Sequence, residues 1–124
     1  MNPSILRAGA TPEYWFEEGC YITEWSNSTA DPALSIARAR VPPGRTTRAH
    51  CLEGVTERYV ILSGRGRIER GQDEPAEVGP GDVVIIAPGV SQRITNLGTD
   101  DLVFLALCTP RFTPAAYRDL ASGS

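Results

Sequence analysis

The chain has 124 residues, enough for one domain with its own core and too few for two. Hydrophobic residues make up 41% and charged residues 22%, the balance of a folded globular domain rather than a disordered segment. Net charge is −3, there is a single histidine, His50, and all twelve basic residues are arginine. Without lysine there is no Schiff-base chemistry and no P-loop phosphate grip. With one histidine, any metal centre built on two or more imidazoles is excluded.

The acidic balance and the scatter of the arginines speak against a nucleic-acid partner. The longest apolar stretches, Leu102–Cys108 and Val83–Ala87, are far too short to span a membrane. No apolar signal segment follows Arg7, and the three cysteines (Cys20, Cys51, Cys108) form no C-x-x-C pattern. Free thiols in a reducing cytoplasm are the expectation.

In chain order, residues 1–19 read as an N-terminal arm that packs on the barrel or on a partner subunit, with Pro12 ahead of the aromatic cluster Tyr14-Trp15-Phe16. Short strands cut by Gly/Pro turns follow. They are expected at Cys20–Trp25, Leu34–Val41, Thr46–Leu52, Glu57–Leu62, Arg65–Arg70, Ala76–Val78, Val83–Ala87, Gln92–Asn96 and Asp101–Cys108. Residues 111–124 read as a short helix and tail, because Thr113 caps a segment that begins with Pro114 and continues over Ala115–Leu120. Nine strands at turn spacings of roughly ten residues predict an all-β antiparallel sandwich or barrel over residues 20–110. A small barrel of this kind has a lumen sized for one small ligand.

Two stretches carry the chemistry. The first reads Gly44, five residues, His50-Cys51-Leu52, four residues, Glu57, six residues, Gly64. The second reads Gly81, five residues, Ala87-Pro88-Gly89, two residues, Gln92, three residues, Asn96. In order and spacing these resemble the two motifs of the cupin superfamily. The resemblance implies a double-stranded β-helix, that is, a jelly-roll barrel. It also implies a divalent metal held by two histidines and a glutamate of the first motif and a histidine of the second. Here Leu52 stands at the second histidine and Gln92 at the last, while His50 and Glu57 keep their places.

Alternation along strands puts His50 with Leu52, Glu57 with Tyr59 and Ile61, and Gln92 with Ile94 and Asn96 on shared faces. In a barrel of this family, His50, Glu57 and Gln92 converge in the lumen and Cys51 points away. Two readings stay open. In one, these three residues weakly hold Mn, Fe, Ni or Zn in a reduced metal centre. The chain is then a dioxygenase, isomerase or lyase of cupin type, with His50 and Glu57 as the catalytic pair. In the other, His50 hydrogen-bonds Glu57 and Gln92 in a metal-free cluster that binds or senses a small polar metabolite without turnover. Tyr59, Arg40 and Cys108 join Gln92 as candidate ligand-binding residues. Arg40 serves only if its face of the Leu34–Val41 strand looks inward; the Ser35, Ala37, Ala39 and Val41 face is the more apolar. The resemblance further implies a homodimer, with the N-terminal segment covering a partner subunit.

Overall fold

The computed structural model describes residues 4–121. Its strands are β1 (Tyr14–Phe16), β2 (Cys20–Ser26), β3 (Ser35–Val41), β4 (His50–Leu52), β5 (Thr56–Ser63), β6 (Gly66–Arg70), β7 (Ala76–Val78), β8 (Val83–Ile86), β9 (Gln92–Asn96), β10 (Leu102–Thr109) and β11 (Tyr117–Asp119). They pair antiparallel into a six-stranded sheet, β1-β2-β3-β10-β5-β8, and a five-stranded sheet, β11-β4-β9-β6-β7. Two facing sheets of this kind make the expected jelly roll.

Period-two burial shows why these segments are strands. On β5 the buried residues are Glu57, Tyr59 and Ile61; on β9 they are Gln92, Ile94 and Asn96. Tyr59, Ile61, Phe104, Val84 and Ile86 come from the larger sheet, and Ile68 and Ile94 from the smaller. They meet in one core. The motif asparagine is structural. Its Nδ2 donates to the carbonyls of Val41 and Asp100, both at 2.8 Å, and its Oδ1 accepts from the Gly98 N–H. Gly64 is required where β5 ends: its φ is +89°, and a Cβ there would stand 2.8 Å from the Asp101 carbonyl oxygen.

The C-terminal end of the chain differs from expectation. The segment expected to be helical makes only one 3-10 turn, Pro114–Ala116, and then extends as β11. Here tertiary pairing overrides the local helix signal: Tyr117, Arg118 and Asp119 pair with Leu52, Cys51 and His50, which covers the edge of β4. Residues 122–124 of the expected tail lie outside the described residues. At the other end, the arm contributes β1, which pairs with β2 of this same chain. The expected strand over Thr46–Leu52 is regular only at His50–Leu52, with Thr46 joined by a single bridge to Thr95.

Candidate functional site

A cavity of about 380 Å³ opens between the sheets. Its walls are largely aromatic and aliphatic, among them Phe16, Phe104, Phe112 and Tyr117. At its polar end stand Glu18, His50 and Glu57, with Tyr59 and Cys108 beside them.

His50 sits on β4, buried to 2% exposure, with its ring stacked on Tyr117 of β11 at 5.1 Å. Its Nδ1 lies 2.8 Å from the Arg48 carbonyl oxygen. A carbonyl can only accept, so Nδ1 carries the proton and donates. In the neutral ring this leaves Nε2 with its lone pair. Nε2 faces Glu18 Oε1 at 3.4 Å, a long contact rather than a tight hydrogen bond.

Glu18 comes from the turn between β1 and β2, and the spacing of the motifs does not reveal it. The Arg48 N–H donates to its backbone carbonyl at 2.6 Å, which pins that turn against the His50 strand. Its Oε2 accepts from the Cys20 thiol at 3.8 Å. Burial, reinforced by the charge of Glu57, pushes the Glu18 carboxyl up to about 8. Burial also pushes His50 down, against the pull of its bond to the Arg48 backbone. At neutral pH the two therefore face each other as a carboxylic acid and a neutral imidazole. The metal-free reading of the sequence gives His50 the partners Glu57 and Gln92; the side chain that faces its Nε2 is Glu18.

Glu57, on β5, is pushed up to about 7 by burial, opposed by hydrogen bonding from Gln92 and Cys108. Its Oε2 accepts from the Cys108 thiol at 3.8 Å. Its Oε1 is buried and lacks a partner within hydrogen-bond geometry, the one such side-chain atom among the described residues. A buried polar atom left in this way costs stability unless something occupies the space before it.

Gln92 is brought beside His50, its partner in the β4–β9 pairing. Its Oε1 accepts the Tyr59 hydroxyl, and it does not line the cavity wall. Arg40 lies on the opposite face of β3, paired with Glu13 and Asp101 and stacked over Tyr21. The inward reading of Arg40 is thus corrected: the apolar residues of its strand, Ala37 and Ala39, line the cavity and Arg40 does not. Cys51 is buried and, as expected, absent from the wall.

The donor set does not fit a divalent metal. Leu52 offers no lone pair. The Gln92 oxygen is occupied by Tyr59. The Nε2 of His50 is turned to Glu18, and both carboxyls favour their protonated forms more than ordinary carboxyls do. Metal ligands must be deprotonated and free to converge. Among the described residues, no three His, Cys, Asp or Glu side chains are grouped closely enough to hold a metal ion.

Comparison with known proteins bears on the fold and the family. Residues 37–108 match the model of the cupin domain. An oxalate-binding protein of Thermotoga maritima is 42% identical over 76 residues, covering 60% of this chain and 61% of that protein. The match thus spans about three-fifths of the relative's length. Among solved structures, a predicted oxalate decarboxylase of Thermotoga maritima superposes with a TM-score of 0.76 at 26% identity, over 86% of this chain and 98% of the other. A nucleoside dehydratase superposes with a TM-score of 0.79 at 15% identity, over 94% and 90% of the two chains, and its Streptomyces form is also known with uridine.

Proposed function

This chain belongs to the cupin family, and we propose that it binds a small organic molecule in the barrel cavity through Glu57, His50 and Glu18 rather than through a metal. The observation that carries this reading is that Glu57, which lines a cavity of about 380 Å³, keeps a buried carboxyl oxygen without a partner within hydrogen-bond geometry. Apolar pockets with a few convergent polar groups are the usual form of a small-molecule site. Two residues that would have completed a metal shell serve the barrel instead. Leu52 packs with Val55, Cys108 and Ala116, and Gln92 satisfies Tyr59.

A second reading, that the bound molecule is also turned over, is favoured by the tautomer of His50. With Nδ1 donating to the Arg48 carbonyl, Nε2 is the nitrogen that exchanges a proton with Glu18. Isomerisation and elimination are reactions that such groups serve. The homodimer and the cytoplasmic setting are part of the same proposal. For the second, the support is three buried free cysteines.

Backbone NMR of the isotopically labelled protein against a collection of small polar organic compounds tests the binding reading. Shift changes are expected to cluster at Glu57, Tyr59, Phe104, Cys108 and Tyr117. Hits that map instead to the outer face around Arg38 and Arg40, or no hits in the cavity, contradict it.

A further inference from the structure

We infer that the cavity takes a ligand with an apolar body and a hydrogen-bond-donating head group that carries no negative charge, an alcohol or an amine, and that it discriminates against carboxylates. This rests on the proposed cavity reading and adds to it the chemistry of the ligand.

The charges around the cavity come first. Three carboxyls line it, Glu18, Glu24 and Glu57, against a single arginine, Arg111. The Nη1 of that arginine donates to the neutral amide oxygen of Asn27, Oδ1, at 2.9 Å. Asn27 in turn donates to Glu24 Oε2 at 2.9 Å and to the Phe112 carbonyl at 3.0 Å. The other arginines, Arg38 and Arg40 among them, are absent from the wall. An anion entering the polar end would therefore meet Glu18, Glu57 and a His50 imidazole that burial holds neutral, none of which brings a positive charge. Repulsion between like charges is strong where water is excluded.

The second observation is the vacancy in hydrogen bonding at Glu57. Oε2 accepts the Cys108 thiol; Oε1 has no partner within hydrogen-bond geometry, although Gln92 stands near enough to hold the carboxyl down somewhat against its burial. Above about pH 7, where the Glu57 carboxyl is ionised, it only accepts, so the group that completes it there must donate. A hydroxyl or an ammonium does so, and a carboxylate does not.

The third observation concerns the body of the ligand. Phe16, Ile22, Phe104, Ala106 and Phe112 line the cavity beyond the polar end. They favour a ring or a short hydrocarbon over a compact, fully polar molecule. Oxalate, the ligand for which the Thermotoga maritima relative is named, is small, dianionic and without an apolar part. The site of this chain is built for the opposite chemistry.

The test uses three probes of one shape, benzyl alcohol, benzylamine and benzoate, with oxalate as a fourth. Each is titrated into the full chain at about pH 8, where the Glu57 carboxyl is mostly ionised and the amine still mostly charged. Cavity resonances report binding. The alcohol or the amine is expected to bind roughly tenfold or more tightly than benzoate, the scale of a hydrogen bond to a charged group. Which of the two binds more tightly separates a neutral from a cationic natural ligand. In Glu57→Gln that advantage over benzoate is expected to disappear. Benzoate or oxalate binding in the cavity as tightly as the alcohol and the amine overturns the inference and leaves the cavity reading intact. Binding of no probe in the cavity overturns both. An unchanged preference in Glu57→Gln, with the fold verified by its amide spectrum, overturns the role of Glu57.

Discussion

Stability is expected to fall as pH rises from about 5 to about 8, the reverse of the acid sensitivity usual for folded proteins. Two carboxyls are responsible. Glu18 is raised from 4.5 to about 8 and Glu57 from 4.5 to about 7, each chiefly by burial. A carboxyl whose folded value is raised binds its proton more tightly folded than unfolded. Its contribution is fully present below the unfolded value and is lost as pH climbs through the folded one. His50 works the other way. Its folded value is lowered from 6.5, so it favours the folded state only as pH rises toward 6.5. Below that point it offsets one of the two carboxyls, and above it nothing offsets either. The net slope is therefore downward across the window and steepest just above 6.5. The loss is expected to be a large share of the stability of a domain this size. Urea midpoints measured across this range read the effect directly. In the double variant Glu18→Gln, Glu57→Gln the curve is expected to flatten. A wild-type midpoint that rises from about pH 5 to about pH 8 contradicts the burial of the two carboxyls.

Replacing Phe104 by alanine is expected to cost about 3–5 kcal/mol, the range for losing a buried phenylalanine. Phe104 is 2% exposed, sits at the centre of the larger sheet on β10, and stacks on Tyr59 with ring centroids 4.3 Å apart. Its loss removes more than buried area. Tyr59 is held by that ring on one side and by its hydroxyl bond to Gln92 on the other. Without the ring, the bond that occupies the Gln92 oxygen loosens. The cavity, which Phe104 lines, also grows. Denaturant unfolding of Phe104→Ala beside Tyr59→Phe separates the two effects. The milder change leaves the packing and strips only the donor, at about 1–3 kcal/mol for a buried acceptor left unpaired. A loss of less than about 1 kcal/mol in Phe104→Ala shows that the core does not rest on this residue.

Most of the barrel was legible because alternation and Gly/Pro punctuation are local signals. β7 and β9 have the expected bounds, and the other barrel strands differ chiefly at their ends. The two terminal strands were not legible. Tyr14–Phe16 is three aromatic residues with no alternation to read. Tyr117–Asp119 follows a Thr-Pro start that locally favours helix and is a strand only because β4 offers it an open edge. The site was half legible for the same reason. His50, Glu57, Tyr59 and Cys108 lie on strands whose faces the period-two pattern assigns, and all four line the cavity. Gln92 has the right face, yet Tyr59 draws its oxygen away from the cavity, a side-chain contact no spacing reports. Glu18 is on a turn, 32 residues from its imidazole partner in the sequence, and reaches it only because the Arg48 N–H binds the Glu18 carbonyl. A polar residue beside a Gly turn carries no sequence mark of such a role.

In the proposed reading, His50, Glu18 and Glu57 form a proton-bearing polar floor and not a metal centre. Elemental mass spectrometry tests it most directly, on full-length protein purified without chelator or histidine tag, beside a His50→Ala control. Both samples are then offered Mn²⁺, Fe²⁺, Ni²⁺ and Zn²⁺ in calorimetric titrations. Only trace metal is expected in both preparations, with no heat that depends on His50. A transition metal close to one per chain in the wild type, lost in His50→Ala, would contradict it.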